Sequence, residues 1–453
     1  MNDKSYMLEN ERISKVLINL SIPATVAMMV NALYNIVDAI FIGRGVGTLA
    51  IGALAVVFPI QILIMGFAQM IGIGAASLIS RSLGAKDNER VYQAVGNAYV
   101  LAVFIGLSIT FIGLLFIENL LFIFGATQNI LPYAKDYMSI ILIGTIFHMF
   151  AVCSNNLIRS EGNAKVAMFT MIIGTGLNII LDPIFIFVFK LGVKGAAIAT
   201  VLSQIASFLF IVRYLYTGKS NLKIKMKYLK IEKEICLEIV SVGLSAFIRQ
   251  VSGSVVAIVL NNSLRIYGLD IAISTFGIVN RIIMFLFMPL FGVIQGMQPI
   301  AGFNYGANKI DRVKQVIKLS IISTTIMAFI GTLFGQLFPE NIITVFTKDT
   351  QLIKNGASVL RIVISMVPII GFQIVGAALF QSLGKAIPSI ILSLLRQIIF
   401  FIPLVLILPR IYNLGLLGIW LAFPISDLLS TIVTAIFLKK EISKLEKVEY
   451  TNK

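Results

Sequence analysis

Apolar residues do not alternate with polar ones along this chain; they run in blocks. Twelve stretches stand out, at 15–41, 51–79, 91–116, 133–157, 166–189, 194–215, 236–261, 271–300, 314–338, 355–380, 387–409 and 415–438. Each reaches the roughly 20 residues that a helix needs to cross a hydrocarbon core about 30 Å thick. None shows the alternating polar face of a membrane barrel, and backbone groups inside a bilayer must be paired within their own segment, so the blocks predict helices. The expected fold is an all-α membrane protein. It has twelve transmembrane helices in two six-helix lobes.

The two lobes are legible as a repeat. Leu83-Gly84-Ala85, with Arg90-Val91 behind it, returns as Tyr305-Gly306-Ala307 with Arg312-Val313. Ser160-Glu-Gly162-Asn-Ala164 returns as Ser382-Leu-Gly384-Lys-Ala386, and Leu191-Gly192 as Leu414-Gly415. All three pairs lie about 222 residues apart, and a fixed internal period has to be read before any fold is assigned. Six spans per half is an even number, so both halves start on the same side of the membrane. The repeat is then parallel, with a pseudo-two-fold axis along the membrane normal and a cavity between the lobes. The expected division is an N-terminal lobe 1–215, a basic linker 216–235, a C-terminal lobe 236–438 and a tail 439–453. The linker, with its alternating Lys and apolar residues, suits either a segment lying on the membrane surface or a solvated connection.

Composition sharpens this picture. Hydrophobic residues make up 58% of the 453 and mean hydropathy is +0.94. Charged residues make up 13%, where a soluble domain carries about 25%. The net charge of +16 raises nucleic acid as a partner, but its placement argues against that. Twenty-five basic residues fall on the side of the predicted termini and eight on the other. By the positive-inside rule both termini are cytoplasmic, in a multi-pass protein of the cytoplasmic membrane. Anionic membrane lipids account for the basic loops. The polar first ten residues and the long first block give no cleavable signal peptide. Two cysteines, Cys153 and Cys236, and one histidine, His148, form no disulfide or metal spacing.

Two acids lie within spans. Asp38 is late in the first and Asp182, followed by Pro183, is late in the fifth. A charged Asp at a helix centre costs about 2.5–3.5 kcal/mol on insertion scales, so such residues face a cavity, find a partner or take a proton. Asp38 precedes Arg44 by six residues, Asp182 precedes Lys190 by eight, and Thr200 follows Lys194 by six. At ~1.5 Å per residue, three side chains from three helices share a depth of about 9–12 Å below the outer boundary. Asn178 stands four residues before Asp182, on the same helix face. Two carboxylates, an amide and a hydroxyl are hard donors that suit Na⁺ or a shared proton. Asp38, Asn178, Asp182 and Thr200 are therefore the expected cation-coupling site, with Na⁺ or H⁺ as the coupling ion and no cofactor. The second half lacks acids at the matching positions and instead carries Arg249, Arg281, Arg361 and Arg396 within spans. Arg249 and Arg396 have backbone carbonyls or Asp427 as candidate partners.

The inter-lobe cavity has weaker markers. Asn35, Gln61, Gln69, Gln295 and Gln298 could bond a substrate, against a default of helix-to-helix bonding. Met65, Met284 and Met288 suit flexible core packing or a promiscuous apolar pocket. His148 reads as a packed core histidine. No Walker A loop, His-Glu-x-x-His or Gly-x-Ser-x-Gly occurs, so an ATP-driven pump or an intramembrane hydrolase has no support.

Val37-Asp38-Ala-Ile-Phe-Ile-Gly43, Asn178-x-x-x-Asp182-Pro183 and Gly296-Met-Gln298-Pro299 with Asn304-Tyr305-Gly306-Ala307 resemble the multidrug and toxic compound extrusion (MATE) family. The likeness runs from about residue 14 to 438 and is closest to the MepA-like and DinF-like branches. It implies a V-shaped cavity between two lobes and export of drug-like, often cationic, compounds against Na⁺ or H⁺. It also implies that the family's first-lobe cation site falls on Asp38, Asn178, Asp182 and Thr200. The seventh and tenth spans lack the acids of the NorM-like branch, which argues against an ion site in the second lobe. A lipid-linked saccharide flippase of related fold is the alternative, followed by a scaffold or channel. No helix shows a distinct dimerisation face, so a monomer is expected.

Overall fold

The computed structural model describes residues 3–45, 48–217, 220 and 222–451, except the side chains at 3, 35, 36, 38–40, 42–45, 48, 412 and 448–451. The first half contains α1 (Asp3–Asn10), α2 (Ile13–Gly45), α3 (Thr48–Gly84), α4 (Asn88–Leu115), α5 (Ile117–Ile123), α6 (Leu131–Ser160), α7 (Ala164–Pro183) and α8 (Gly192–Tyr216). The second contains α9 (Lys233–Gly306), α10 (Ile310–Leu337), α11 (Pro339–Thr344), α12 (Thr350–Ile364), α13 (Val367–Ser382), α14 (Ala386–Leu394), α15 (Ile402–Ile407) and α16 (Leu416–Thr451). No strand occurs among the described residues. The chain is an all-α membrane protein.

Ten of the described helical segments are long and apolar enough to cross a membrane, or eleven if α12 and α13, bent by 48° at their junction, are taken as one. The expectation was twelve. The difference lies in α9, whose 74 residues would make a rod of about 110 Å at ~1.5 Å per residue. No bilayer accommodates that, and the helix turns at Leu269 (φ 55°, ψ −158°). The α12–α13 bend has a plain cause. Pro368 stands at the start of α13 and has no N–H to continue the ladder.

The repeat seen in the sequence recurs in the elements. Both ends of α4 reappear 222 residues later as the ends of α10, and the last residue of α6 as the last of α13. Contacts between the halves obey the same offset. A Cβ on Gly84 would lie 1.9 Å from the Phe303 carbonyl oxygen, and one on Gly306 would lie 1.9 Å from the Arg81 carbonyl oxygen. Arg81 and Phe303 are themselves partners at that spacing, so the two approaches are one contact seen twice across a pseudo-two-fold axis. Only glycine allows backbones so close. Before its turn at Leu269, α9 also meets α3 closely, Gly74 against Ile239 and Gly243 against Met70, at positions that the 222-residue offset does not relate.

These approaches gather at the basic end of the bundle. There Arg81 and Arg90 both bond Glu238 at 2.7 Å, from α3 and α4 across to α9. The short α1 bridges the same end. Lys4 pairs with Glu161 at 3.3 Å, and Lys309 with Glu9 at 3.1 Å. The Leu8 side chain is fully buried, and its carbonyl accepts from Asn304 and Arg312.

The stretch between α8 and α9 is not simply a solvated or surface-lying connection. Leu222 is fully buried, and the Ser220 hydroxyl donates to Glu161. Further on, Lys225 lies 4.0 Å over the Tyr92 ring, Tyr228 donates to Glu89, and the Glu232 N–H donates to Asn97. Its apolar and aromatic residues dock it on the first half, against α4. Elsewhere the outward faces are apolar. Phe104, Leu107, Phe111 and Leu115 form one exposed stripe on α4, and Ile326, Ile330, Phe334 and Leu337 another on α10. Spacing of three and four residues gives one lipid-facing side per helix.

Candidate functional site

The first-lobe group forms where α7 meets α8. Asp182 is fully buried and Asn178, one turn earlier, is nearly so. Their four-residue spacing puts both on one face. Pro183 then removes a backbone donor, and the helix widens into a π turn, Ile184–Val188. Such turns re-aim side chains and recur at functional sites.

Asn178 lies 3.2 Å from the Thr200 hydroxyl on α8. Its amide satisfies both ends in one orientation. The nitrogen then donates to Asp182 Oδ2 at 2.7 Å, while the oxygen accepts from the Thr200 N–H at 3.1 Å. The reverse orientation would set the amide oxygen against a carboxylate. The Thr200 hydroxyl also reaches the Ala196 carbonyl at 3.0 Å. Asn178, Asp182 and Thr200 are thus brought together as the sequence predicts. The backbone of Asp38 lies in α2, which packs on α7; its side chain, and that of Asn35, lie outside the described residues.

The second lobe is built differently. Arg396 sits in a π turn, Leu395–Phe401, and donates from Nε to Asp427 at 2.6 Å. Asp427 is buried and the guanidinium also stands 5.3 Å from the Phe287 ring centre. Its carboxylate therefore already has a cation.

A small polar cleft, partly open to its surroundings, lies between the lobes toward the basic end. Ser77 and Ser80 from α3 and Asn156 and Arg159 from α6 line one wall; Gln295 and Gln298 from α9 and Gln381 and Ser382 from α13 line the other. The Ser77 hydroxyl donates to the Gln381 carbonyl. Gln298 donates to Gln381 at 2.9 Å, and Gln381 donates to Ser245 at 2.9 Å.

Of the residues expected in a substrate cavity, Gln295 and Gln298 line this one. Gln69 accepts from Asn156 at 3.2 Å and belongs to its edge. Gln61 instead bonds Tyr137 at 3.4 Å, within the first lobe. Met65 and Met288 are half-buried, and Met284 is 52% exposed. His148 bonds Gln204 at 3.4 Å, in keeping with a packed core residue. Sequence reasoning missed Arg159, Asn156 and Gln381. Arg159 reads as a loop charge because it stands next to the helix end, yet it is 7% exposed. Its distance from the polar stretch that follows gives no sign of that burial.

Two half-chain bundles related by a repeat, with a buried acid in each and a polar cleft between, define a membrane transporter. The MatE family model matches residues 23–184 and 243–407, one segment in each half, and the chain belongs to the MATE family of transporters. It is 27% identical over 413 residues to the multidrug export protein MepA of Staphylococcus aureus (strain MRSA252), covering 91% of both chains. Among solved structures it resembles an outward-facing multidrug resistance MATE family transporter of the MOP superfamily. That match has a TM-score of 0.93 and 29% identity, over 99% of this chain and all of the other. A MATE structure in complex with MaL6 matches with a TM-score of 0.94 and 28% identity over the same shares.

Proposed function

We propose that this chain is a secondary-active multidrug efflux antiporter of the cytoplasmic membrane. It exports amphipathic, often cationic, compounds in exchange for Na⁺ or H⁺. The supporting relatives are a multidrug export protein and multidrug resistance transporters. The observation that carries the coupling is the burial of Asp182 against Asn178, which also bonds Thr200, in one lobe. A buried carboxylate must be neutralised by a proton, a cation or donors. With its nitrogen toward Asp182, the Asn178 amide supplies a donor when no cation is present. Turned over, it offers its oxygen beside the carboxylate and the Thr200 hydroxyl, and the three become hard ligands for Na⁺. Asp38 on the adjacent α2 completes the site.

The lobes are residues 1–215 and 236–438, and the protein works as a monomer. The basic end faces the cytoplasm. With that end held shut by Gly84–Phe303, Gly306–Arg81 and the Glu238 ion pairs, the conformation is outward-facing. Transport is alternating access: cation binding in the first lobe and substrate in the cavity favour opposite states, as exchange requires.

The deciding experiment is efflux of a cationic dye from proteoliposomes under sodium and pH gradients imposed separately. Efflux driven by one of them identifies the coupling ion. Efflux indifferent to both removes the antiporter reading.

A further inference from the structure

Arg159 is a buried charge that the transport site does not use. Its side chain is 7% exposed, and its one hydrogen bond goes from Nη2 to Asn155 Oδ1 on its own helix. Nε has no acceptor, and among the described residues no carboxylate pairs with it. Two other buried charges are matched, Glu161 by Lys4 and Asp427 by Arg396. An isolated guanidinium out of water is costly unless something of opposite charge meets it.

What meets it has room to do so. Arg159 lines the inter-lobe cavity, whose other walls are hydroxyls and amides with no acidic side chain among them. Gln298 has spent one amide hydrogen on Gln381 and keeps the other. Gln295 reaches only the Met28 sulfur, at 3.6 Å, a weak acceptor. Hence the cavity offers a fixed positive charge with amide donors on the facing wall.

We propose that this cavity binds a small anion between Arg159 of one lobe and Gln295 and Gln298 of the other, and that the anion holds the cytoplasmic face shut. The site exists only while α6 and α9 are together. When the lobes part on the cytoplasmic side its two walls separate, so the anion binds one state and stabilises it by linkage. Chloride is the abundant anion of the right size and charge. A lipid phosphate offers the same chemistry from a different source. Closure presupposes the alternating-access reading, whereas binding does not, so the two can fail separately.

The test titrates chloride into purified protein in sodium gluconate at constant sodium and ionic strength. The unfolding midpoint of the unaltered chain rises and saturates, by about 2–4 °C. Arg159→Gln abolishes the rise. Should that variant not fold, Gln298→Met shifts the half-saturating chloride severalfold upward. In parallel, spin labels at Asn88→Cys and Asp311→Cys, exposed positions on opposite lobes, report a shorter-distance population that grows with chloride. A midpoint indifferent to chloride means a hydrated arginine only and overturns the proposal. So does an undiminished chloride response in Arg159→Gln, or an unmoved half-saturation in Gln298→Met. A response that appears only in vesicles containing phosphatidylglycerol, and not in phosphatidylcholine alone, assigns the site to lipid and overturns the free anion. Binding without any change in label distance refutes the gate while leaving the site.

Discussion

Arg396 Nε lies 2.6 Å from Asp427 Oδ1, joining the π turn before α15 to α16 in the second lobe. In the first lobe, Asp182 accepts from the Asn178 amide at 2.7 Å. In the antiporter reading, the second lobe carries its own counter-charge and the first takes an exchangeable ion.

Asp427→Asn should therefore damage stability and spare coupling. It leaves the largely buried Arg396 without its partner, a loss on the order of 3 kcal/mol. The check is a lowered unfolding midpoint together with unchanged ion dependence of efflux per folded molecule. Loss of ion dependence would move the coupling site to the second lobe.

Asp182→Asn should do the reverse. The new amide keeps the shape and can still bond Asn178, so the fold survives, but it cannot carry a proton or the charge that holds Na⁺. Cation-driven dye efflux falls to background, and Asp38→Asn behaves alike. Efflux at the unaltered rate in both variants would end the coupling role.

Gly84→Ala and Gly306→Ala should open the basic end of the bundle. Each new Cβ would fall 1.9 Å from a carbonyl oxygen of the other lobe. Backbone cannot yield as a side chain can, and overpacking of this kind costs about 1–3 kcal/mol. Because the two contacts are symmetry mates, the two variants should widen the distance between labels on the two lobes by similar amounts. A wide effect from one and none from the other would mean the approaches are independent.

Glu238→Gln removes one acceptor from two arginines at once, Arg81 and Arg90. The group is partly exposed, so the stability change is about 1 kcal/mol or less. The larger effect is on state populations, because the pairs cross between lobes. The fraction closed at the basic end should fall in label-distance measurements. High salt should mimic the substitution in the unaltered protein and do nothing further in the variant.

Much of the candidate site was legible because its spacing is helical. Asn178 and Asp182 are one turn apart, and Thr200 returns at the same depth on the next span, so counting along helices was enough to group them. Gln61 was drawn toward the cavity by type alone, but it bonds Tyr137 inside its lobe. Arg159 was assigned to a loop, because one residue at a helix end turns the side chain either to water or inward, and hydropathy does not record which. The α8–α9 connection was read from its lysines, whereas its buried Leu222 and the contacts of Tyr228 and Lys225 decide where it docks.

By itself the sequence determined the helical spans, the repeat, the basic side and the presence of acids where hydrocarbon forbids them. These are properties of single segments, set by what a bilayer tolerates at each point along one helix. The tertiary structure alone decided that Arg396 meets Asp427, which end of the bundle the helices close, and which charge faces the cleft between lobes. Those outcomes depend on the approach of helices far apart in the chain, and glycine contacts and ion pairs across that gap have no local signature.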